Sequence, residues 1–143
     1  MNRITPHLYV TDILTVQQRT LPRITHVVTV CQDNVGDNVG CAYDHFCMSD
    51  GPLEGHVPGD DSYELFEEAC ECVIESLQDD NTVLVHCHAG RSRSVAVCTA
   101  ALAITESLSY DDAFTQVKKA RPIANPHPHL KNHAETFIET HTA

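Results

Sequence analysis

Apolar and polar positions along the chain follow two different periods. Residues 25–30 (THVVTV) and 82–86 (TVLVH) are continuous β-branched, apolar runs, the pattern of strands buried on both faces. Residues 7–12 (HLYVTD) and 42–48 read as two further strands, with a short helix or turn over residues 16–21 ahead of Pro22. Residues 32–40 (QDNVGDNVG) are polar and turn-rich, which predicts a loop. Residues 50–59 (DGPLEGHVPG) hold three glycines and two prolines and predict a surface loop. From Asp60 or Asp61 the period changes: Leu65, Phe66, Ala69, Val73, Ile74 and Leu77 recur at helical spacing behind an acidic first turn. Helical patterns also cover residues 94–106, 111–120 and 130–140. Strands come first and interleave with helices, and the second half is nearly all helix. That order predicts an α/β fold, a central mixed, partly parallel sheet of about four to five strands flanked by helices.

Composition narrows the class. A length of 143 residues suits a single domain, 1–143, able to bury a core without disulfides or metal. No run approaches the length of about 18 apolar residues that spans a bilayer, and MNRITPHLYV lacks the apolar core of a secretory leader. The expected location is therefore cytoplasmic. Seven cysteines, an odd number, are then expected to be free thiols. The net charge is −11, and the lysines are Lys118, Lys119 and Lys131. Such a surface repels nucleic acid and anionic membranes, which argues against both as partners. Solubility or a high-salt cytoplasm would each account for the acidity. Any anion site must be built locally, against the field of the whole chain. A monomer without cofactor is the expected state.

The chemistry concentrates in residues 83–94 (VLVHCHAGRSRS), where a buried strand ends, a short loop follows and a helix starts near Ser92–Ser94. A loop feeding a helix N-terminus offers unpaired backbone N–H groups and the positive end of the dipole. Gly90 lets the backbone curl so that these groups converge as an anion nest. Cys87 opens the loop and Arg93 stands six positions on (93 − 87 = 6). Such surroundings lower a cysteine pKa from ~8.5 to ~3.5–7.5, which yields a thiolate at neutral pH. Arg93 offers a planar fork to two oxygens of one oxyanion. A thiolate facing a tetrahedral dianion is arranged for in-line attack on phosphorus. A nucleotide-binding P-loop is excluded, because no lysine follows Gly90 and the glycine spacing is wrong.

His86-Cys87-His88-Ala89-Gly90-Arg91-Ser92-Arg93-Ser94 resembles the HCxxGxxRS signature of the cysteine-based protein tyrosine phosphatase superfamily, and its wording is closest to the dual-specificity phosphatases. The resemblance extends over nearly the whole chain. Residues 4–10 (ITPHLYV) resemble the family's opening strand, residues 24–30 its second, and Lys119-Ala120-Arg121-Pro122-Ile123 a KxxRP-type segment downstream. It implies a phosphotyrosine protein phosphatase-like fold and hydrolysis of phosphotyrosine and phosphoserine or phosphothreonine through a phosphocysteine. His88, Ala89, Gly90, Arg91, Ser92 and Arg93 are the implied phosphate cradle, with phosphorylated proteins as the implied partners.

The leaving oxygen needs a proton, which an acid on a nearby loop can deliver. Asp50 is the candidate: it follows the strand of residues 42–48, where phosphatases of the resembling family carry their general acid, 37 positions before Cys87 (87 − 50 = 37). Asp44 within the strand, and Asp60 and Asp61 at the helix start, are its competitors. By resemblance Ser94 gives a hydroxyl to the cysteine sulfur, and His86 orients the loop. A helix cap at Ser94 or Ser92 reads equally well, as does an ordinary buried histidine at 86. Ten histidines, among them His127, His129 and His133, form no set with zinc-ligand spacing and are read as surface or capping residues. Cys31 ends a strand and is open to two readings, a core residue or a partner of Cys87 in a protective disulfide. The absence of lysine between His88 and Ser92 disfavours phosphoinositide substrates, and the acidity disfavours RNA 5′-triphosphates.

Overall fold

The computed structural model describes residues 1–18, 21, 23–49 and 63–142. Five strands form one mixed sheet in the order β1-β2-β5-β3-β4: β1 (Asn2–Thr5), β2 (Leu8–Thr11), β3 (His26–Thr29), β4 (Ala42–His45) and β5 (Val83–His86). Only β1 runs antiparallel, paired with β2 across the Pro6–His7 turn; β2, β5, β3 and β4 are parallel. The expected α/β architecture is thus present, with one strand that periodicity did not predict. β1 is partly exposed along its length, so it lacks the apolar run that marks the interior strands.

Five helices cover the sheet: α1 (Ile13–Gln18), α2 (Tyr63–Gln78), α3 (Arg93–Thr105), α4 (Tyr110–Ala120) and α5 (Pro128–His141). α1 starts three residues before the expected short helix, because the Asp12 carboxylate accepts the Thr15 N–H at 2.8 Å and caps it there. The predicted start of α2 at Asp60 or Asp61 lies outside the described residues. β4 ends at His45, and a 3₁₀ turn (Gly36–Asn38) sits within the loop that precedes it.

Alternation along the interior strands divides the core between the two faces. Val28, Val83 and Val85 face the helical layer with Phe66, Val73, Val97 and Phe137. Val27 and Leu84 face the other side, where Ile13, Val16, Ile24 and Val35 close a smaller cluster. α3 packs on β2 and β5 and is flanked by α2, α4 and α5, so residues Ser94–Ala103 are all buried and the helix is apolar on nearly every side. It ends where Ser107 takes a positive φ of 55° and the Leu108 N–H reaches back to the Ala103 carbonyl at 2.9 Å.

Strand order fixes where a site can form. β5 is central, with β2 on one side and β3 on the other, so the chain winds outward in opposite directions from it. A crevice opens beyond the carboxyl ends of the strands at such a reversal. The loop that leaves β5 for α3 lies there.

Candidate active site

Every carbonyl of the loop from Cys87 to Arg91 is engaged on its outer side. The Cys87 carbonyl receives His86 Nδ1–H (3.2 Å) and the His88 carbonyl receives Ile13 N–H (3.0 Å). The Arg121 guanidinium donates to the carbonyls of Ala89 (3.0 Å) and Gly90 (2.5 Å), and Asn125 N–H donates to that of Arg91 (2.8 Å). Among the described residues no acceptor engages the N–H groups of His88 to Ser92, so these donors are left for a ligand. Carbonyls held outward and amides left unpaired at the start of an apolar helix make an anion cradle.

Gly90 is the hinge of that curl. Its φ is +65°, and a Cβ there would stand 2.6 Å from the Thr11 carbonyl and 2.7 Å from Arg121 Nη2. Arg121 is the buried strut beneath it, held also by the Asn2 side-chain oxygen (2.5 Å) and the Asp12 carboxylate (3.4 Å). Burial alone would raise the Asp12 carboxyl, but the Thr15 amide and hydroxyl, with Arg121, outweigh it and hold it below the ordinary value.

Cys87 is only 2% exposed, at the floor of a cleft of about 600 Å³ whose rim includes Ala89, Arg91 and Arg93. The far wall is the turn Asn125, Pro126, His127 and Pro128. Ser94 Oγ lies 3.1 Å from Cys87 Sγ; it is the second residue of α3 and fully buried, so it is not the helix cap. The N-cap residue is Ser92, but its hydroxyl accepts the His127 N–H at 2.8 Å and so ties the loop to the far wall instead of capping α3.

Arg93 reaches back toward the sheet. One Nη donates to Gln32 Oε1 (2.9 Å) and to the Met48 carbonyl (3.2 Å), and Gln32 Nε2 donates to the same carbonyl at 2.8 Å. In the sequence Gln32 belongs only to a polar loop; nothing in its neighbourhood points to a contact 61 positions away. Gln32→Ala is expected to lower kcat/KM about 10-fold, the scale of one hydrogen bond to a charged group. Gln32→Glu should lower it further, because a carboxylate would both hold Arg93 and repel a phosphate; steady-state kinetics of the two variants checks this ordering.

His86 is fully buried beneath the loop. With Nδ1–H given to the Cys87 carbonyl, Nε2 accepts from Thr29 Oγ1 (2.7 Å). Thr29 in turn accepts from the Tyr43 hydroxyl (2.8 Å), and Tyr43 accepts the Val35 N–H (3.0 Å). Each donor has one acceptor when the ring is neutral. Burial accordingly pushes the His86 pKa down. Between that lowered value and the ordinary one near 6.5, the unfolded chain binds a proton that the folded chain refuses. Stability is therefore complete above pH ~6.5 and declines as pH falls below it. Melting temperatures of wild type and His86→Asn from pH 8 to 5 check this: the variant should show the shallower acid-side decline.

The other candidates separate. Asp50, Asp60 and Asp61 lie outside the described residues. Asp44 is occupied elsewhere, 2.7 Å from His26 Nε2 and 3.5 Å from Cys72 Sγ. His127 caps α5 by accepting the His129 N–H, and the His129 and His133 rings pack edge to face at 4.3 Å. All seven cysteines are free; Cys31 is buried close enough to Arg93 and Cys87 to feel their charges, and burial raises its thiol. No helix among the described residues is long and apolar enough to cross a membrane.

The thiol and the arginine, on a cradle of free amides at the carboxyl end of a central parallel strand, fall within residues 8–137, which match the sequence profile of the dual specificity phosphatase catalytic domain. The chain belongs to that family. It is similar to mouse dual specificity phosphatase 28, with 44% identity over 69 residues, 48% of this chain and 42% of that protein. It is also similar to rat dual specificity protein phosphatase 15, with 28% identity over 140 residues, 96% of this chain and 57% of that protein. The chain thus spans about half the length of these relatives. The crystal structure of human DUSP28 superposes with a TM-score of 0.81 at 28% identity, covering 98% of this chain and 96% of that one. That of human tyrosine phosphatase-like serine/threonine/tyrosine-interacting protein gives 0.79 at 26%, covering 100% and 98%.

Proposed function

We propose that the chain is a protein phosphatase that hydrolyses phosphotyrosine and phosphoserine or phosphothreonine monoesters through a phosphocysteine. The observation that carries the reading is the loop itself, with its carbonyls turned out and its amides unpaired around a thiol that Ser94 touches at 3.1 Å. Amides of residues 88–92 and the Arg93 fork bind the phosphate oxygens. Cys87 sulfur attacks phosphorus in line, forming the S–P bond as the ester P–O bond breaks. Asp50 protonates the leaving oxygen, then takes a proton from the water that cleaves S–P and frees phosphate. Met48, two positions before Asp50 in the chain, receives Arg93, which supports this assignment. The Ser94 hydroxyl donates to the thiolate as it departs.

Cytoplasmic phosphoproteins are the proposed substrates, in keeping with seven free thiols. The test is turnover of a panel of phosphotyrosine, phosphoserine and phosphothreonine peptides and phosphoinositides. Release of phosphate from peptides of both kinds, lost in Cys87→Ser and slowed in Asp50→Asn, is the expected result. Activity on phosphoinositides alone, or tight peptide binding without turnover, would overturn it.

A further inference from the structure

The β3–β4 side of the sheet, beneath α2, carries a second cluster of reactive side chains. His26 begins β3, Asp44 lies in β4 and Cys72 in α2, and one donor atom from each falls within 4.8 Å of the others. β3 and β5 run parallel, with His26 paired to Val83. His26 therefore stands at the amino end of its strand, level with a position four residues, or about 13 Å of strand, behind Cys87, while Asp44 lies further along β4, level with Val28. We infer that His26 Nε2, Asp44 Oδ2 and Cys72 Sγ form a binding site for one zinc ion, which clasps β3, β4 and α2 together and leaves a fourth position to water.

Donor chemistry, spacing and surroundings agree. One imidazole, one carboxylate and one thiolate suit a borderline-soft dication and supply the two negative charges that neutralise it. Tetrahedral bonds of ~2.3 Å to sulfur and ~2.0 Å to oxygen place those two atoms about 3.5 Å apart. Cys72 Sγ and Asp44 Oδ2 already stand at 3.5 Å. His26 Nε2 and Asp44 Oδ2, at 2.7 Å, must open to about 3.3 Å, and the Asp44 side chain is 51% exposed and has room to move. The imidazole is fixed from behind: it is buried, and its Nδ1 lies 2.6 Å from Ser76 Oγ, the kind of outer partner that metal-bound histidines have.

Proton bookkeeping is simple. Without metal, His26 donates Nε2–H to Asp44, and burial together with Asp44 and Glu75 keeps the Cys72 thiol protonated, its pKa pushed up to about 12. Binding sends the Cys72 proton to solvent. The His26 proton moves to Nδ1, where Ser76 Oγ accepts it, and no electrons are transferred.

Chelator-treated Cys87→Ser protein, which lacks the competing sulfur of the cleft, is titrated with Co²⁺. The expected result is saturation at one equivalent with a near-ultraviolet sulfur-to-cobalt charge-transfer band, bleached by Zn²⁺. Adding Cys72→Ser or His26→Ala should abolish the band. Zn²⁺ at about one hundred times its Kd should raise Tm by roughly 5–10 °C in Cys87→Ser and leave Cys87→Ser/Cys72→Ser unmoved. Glu67, Glu71 and His141 also converge, but they hold no sulfur and cannot produce the band. Cys72→Ala replaces Cys72→Ser if circular dichroism shows the serine variant unfolded. A band that persists without Cys72, or a folded Cys87→Ser protein that gives none, overturns the inference and leaves a hydrogen-bonded His26–Asp44 pair.

Discussion

Arg93→Lys is expected to lower kcat by about 100- to 1,000-fold while leaving the fold intact, the loss typical of removing one preorganised donor to developing oxyanion charge. Net charge is unchanged by the substitution, so the effect isolates geometry. The guanidinium presents its donors as a rigid plane, and the partners Gln32 Oε1 and the Met48 carbonyl hold one side of that plane at 2.9 and 3.2 Å. A lysine ammonium is a compact, flexible point charge that cannot meet those acceptors and two phosphate oxygens at once. In a chain of net charge −11, the long-range field does nothing to recover an anion that the site fails to hold. Steady-state kinetics on a phosphotyrosine peptide, with the melting temperature as the folding control, tests the expectation. A loss under 10-fold would mean that the backbone amides alone carry the phosphate.

Gly90→Ala should be as damaging by a different route. The added methyl meets a backbone oxygen at 2.6 Å on one side and the Arg121 guanidinium at 2.7 and 2.8 Å on the other. Neither yields easily, since Thr11 ends an interior strand and Arg121 is held by four acceptors: the Ala89 and Gly90 carbonyls, Asn2 and Asp12. The left-handed φ adds about 1–2 kcal/mol for any residue with a Cβ. Stability is expected to fall by about 2–4 kcal/mol in denaturant melts. The cradle must also shift, and a displacement of about 1 Å at a reacting centre costs on the order of 100-fold in rate. Arg121→Met removes one of the two obstacles but also the strut, so the double variant should not recover activity. Wild-type rates in Gly90→Ala would show that the loop has another way to curl.

Much of the site could be read from one segment because its causes are local. The strand at residues 83–86, the turn that needs Gly90 and the apolar helix behind it are consecutive in the chain, so Cys87, Gly90 and Arg93 carry their geometry in their spacing. The interior strands were legible for a similar reason: a strand buried on both faces must be apolar along its whole length. Residues that act across long separations were not legible. Gln32 meets Arg93 from a loop that looks merely polar, and Thr29 and Tyr43 complete the His86 chain from two other strands. The His26, Asp44 and Cys72 cluster is drawn from three elements and has no motif spacing at all. Arg121 is intermediate. Its segment resembles a known pattern, but a charged residue in a sequence does not reveal that it is buried as a strut.

By itself, then, the sequence determined the α/β class, the parallel interior strands, the family and the strand–loop–helix order around Cys87, because each follows from short-range periodicity or from contiguous residues. Tertiary structure alone decided that Ser94 faces the sulfur while Ser92 binds the far wall, and that Asp44 is engaged away from the cleft. It also decided that Arg121 braces the middle of the loop and Gln32 its Arg93 end. The physical reason is common to all of these. A side chain's hydrogen-bond partner is set by which elements the sheet order brings together, and pairings over tens of residues leave no periodic trace in the chain.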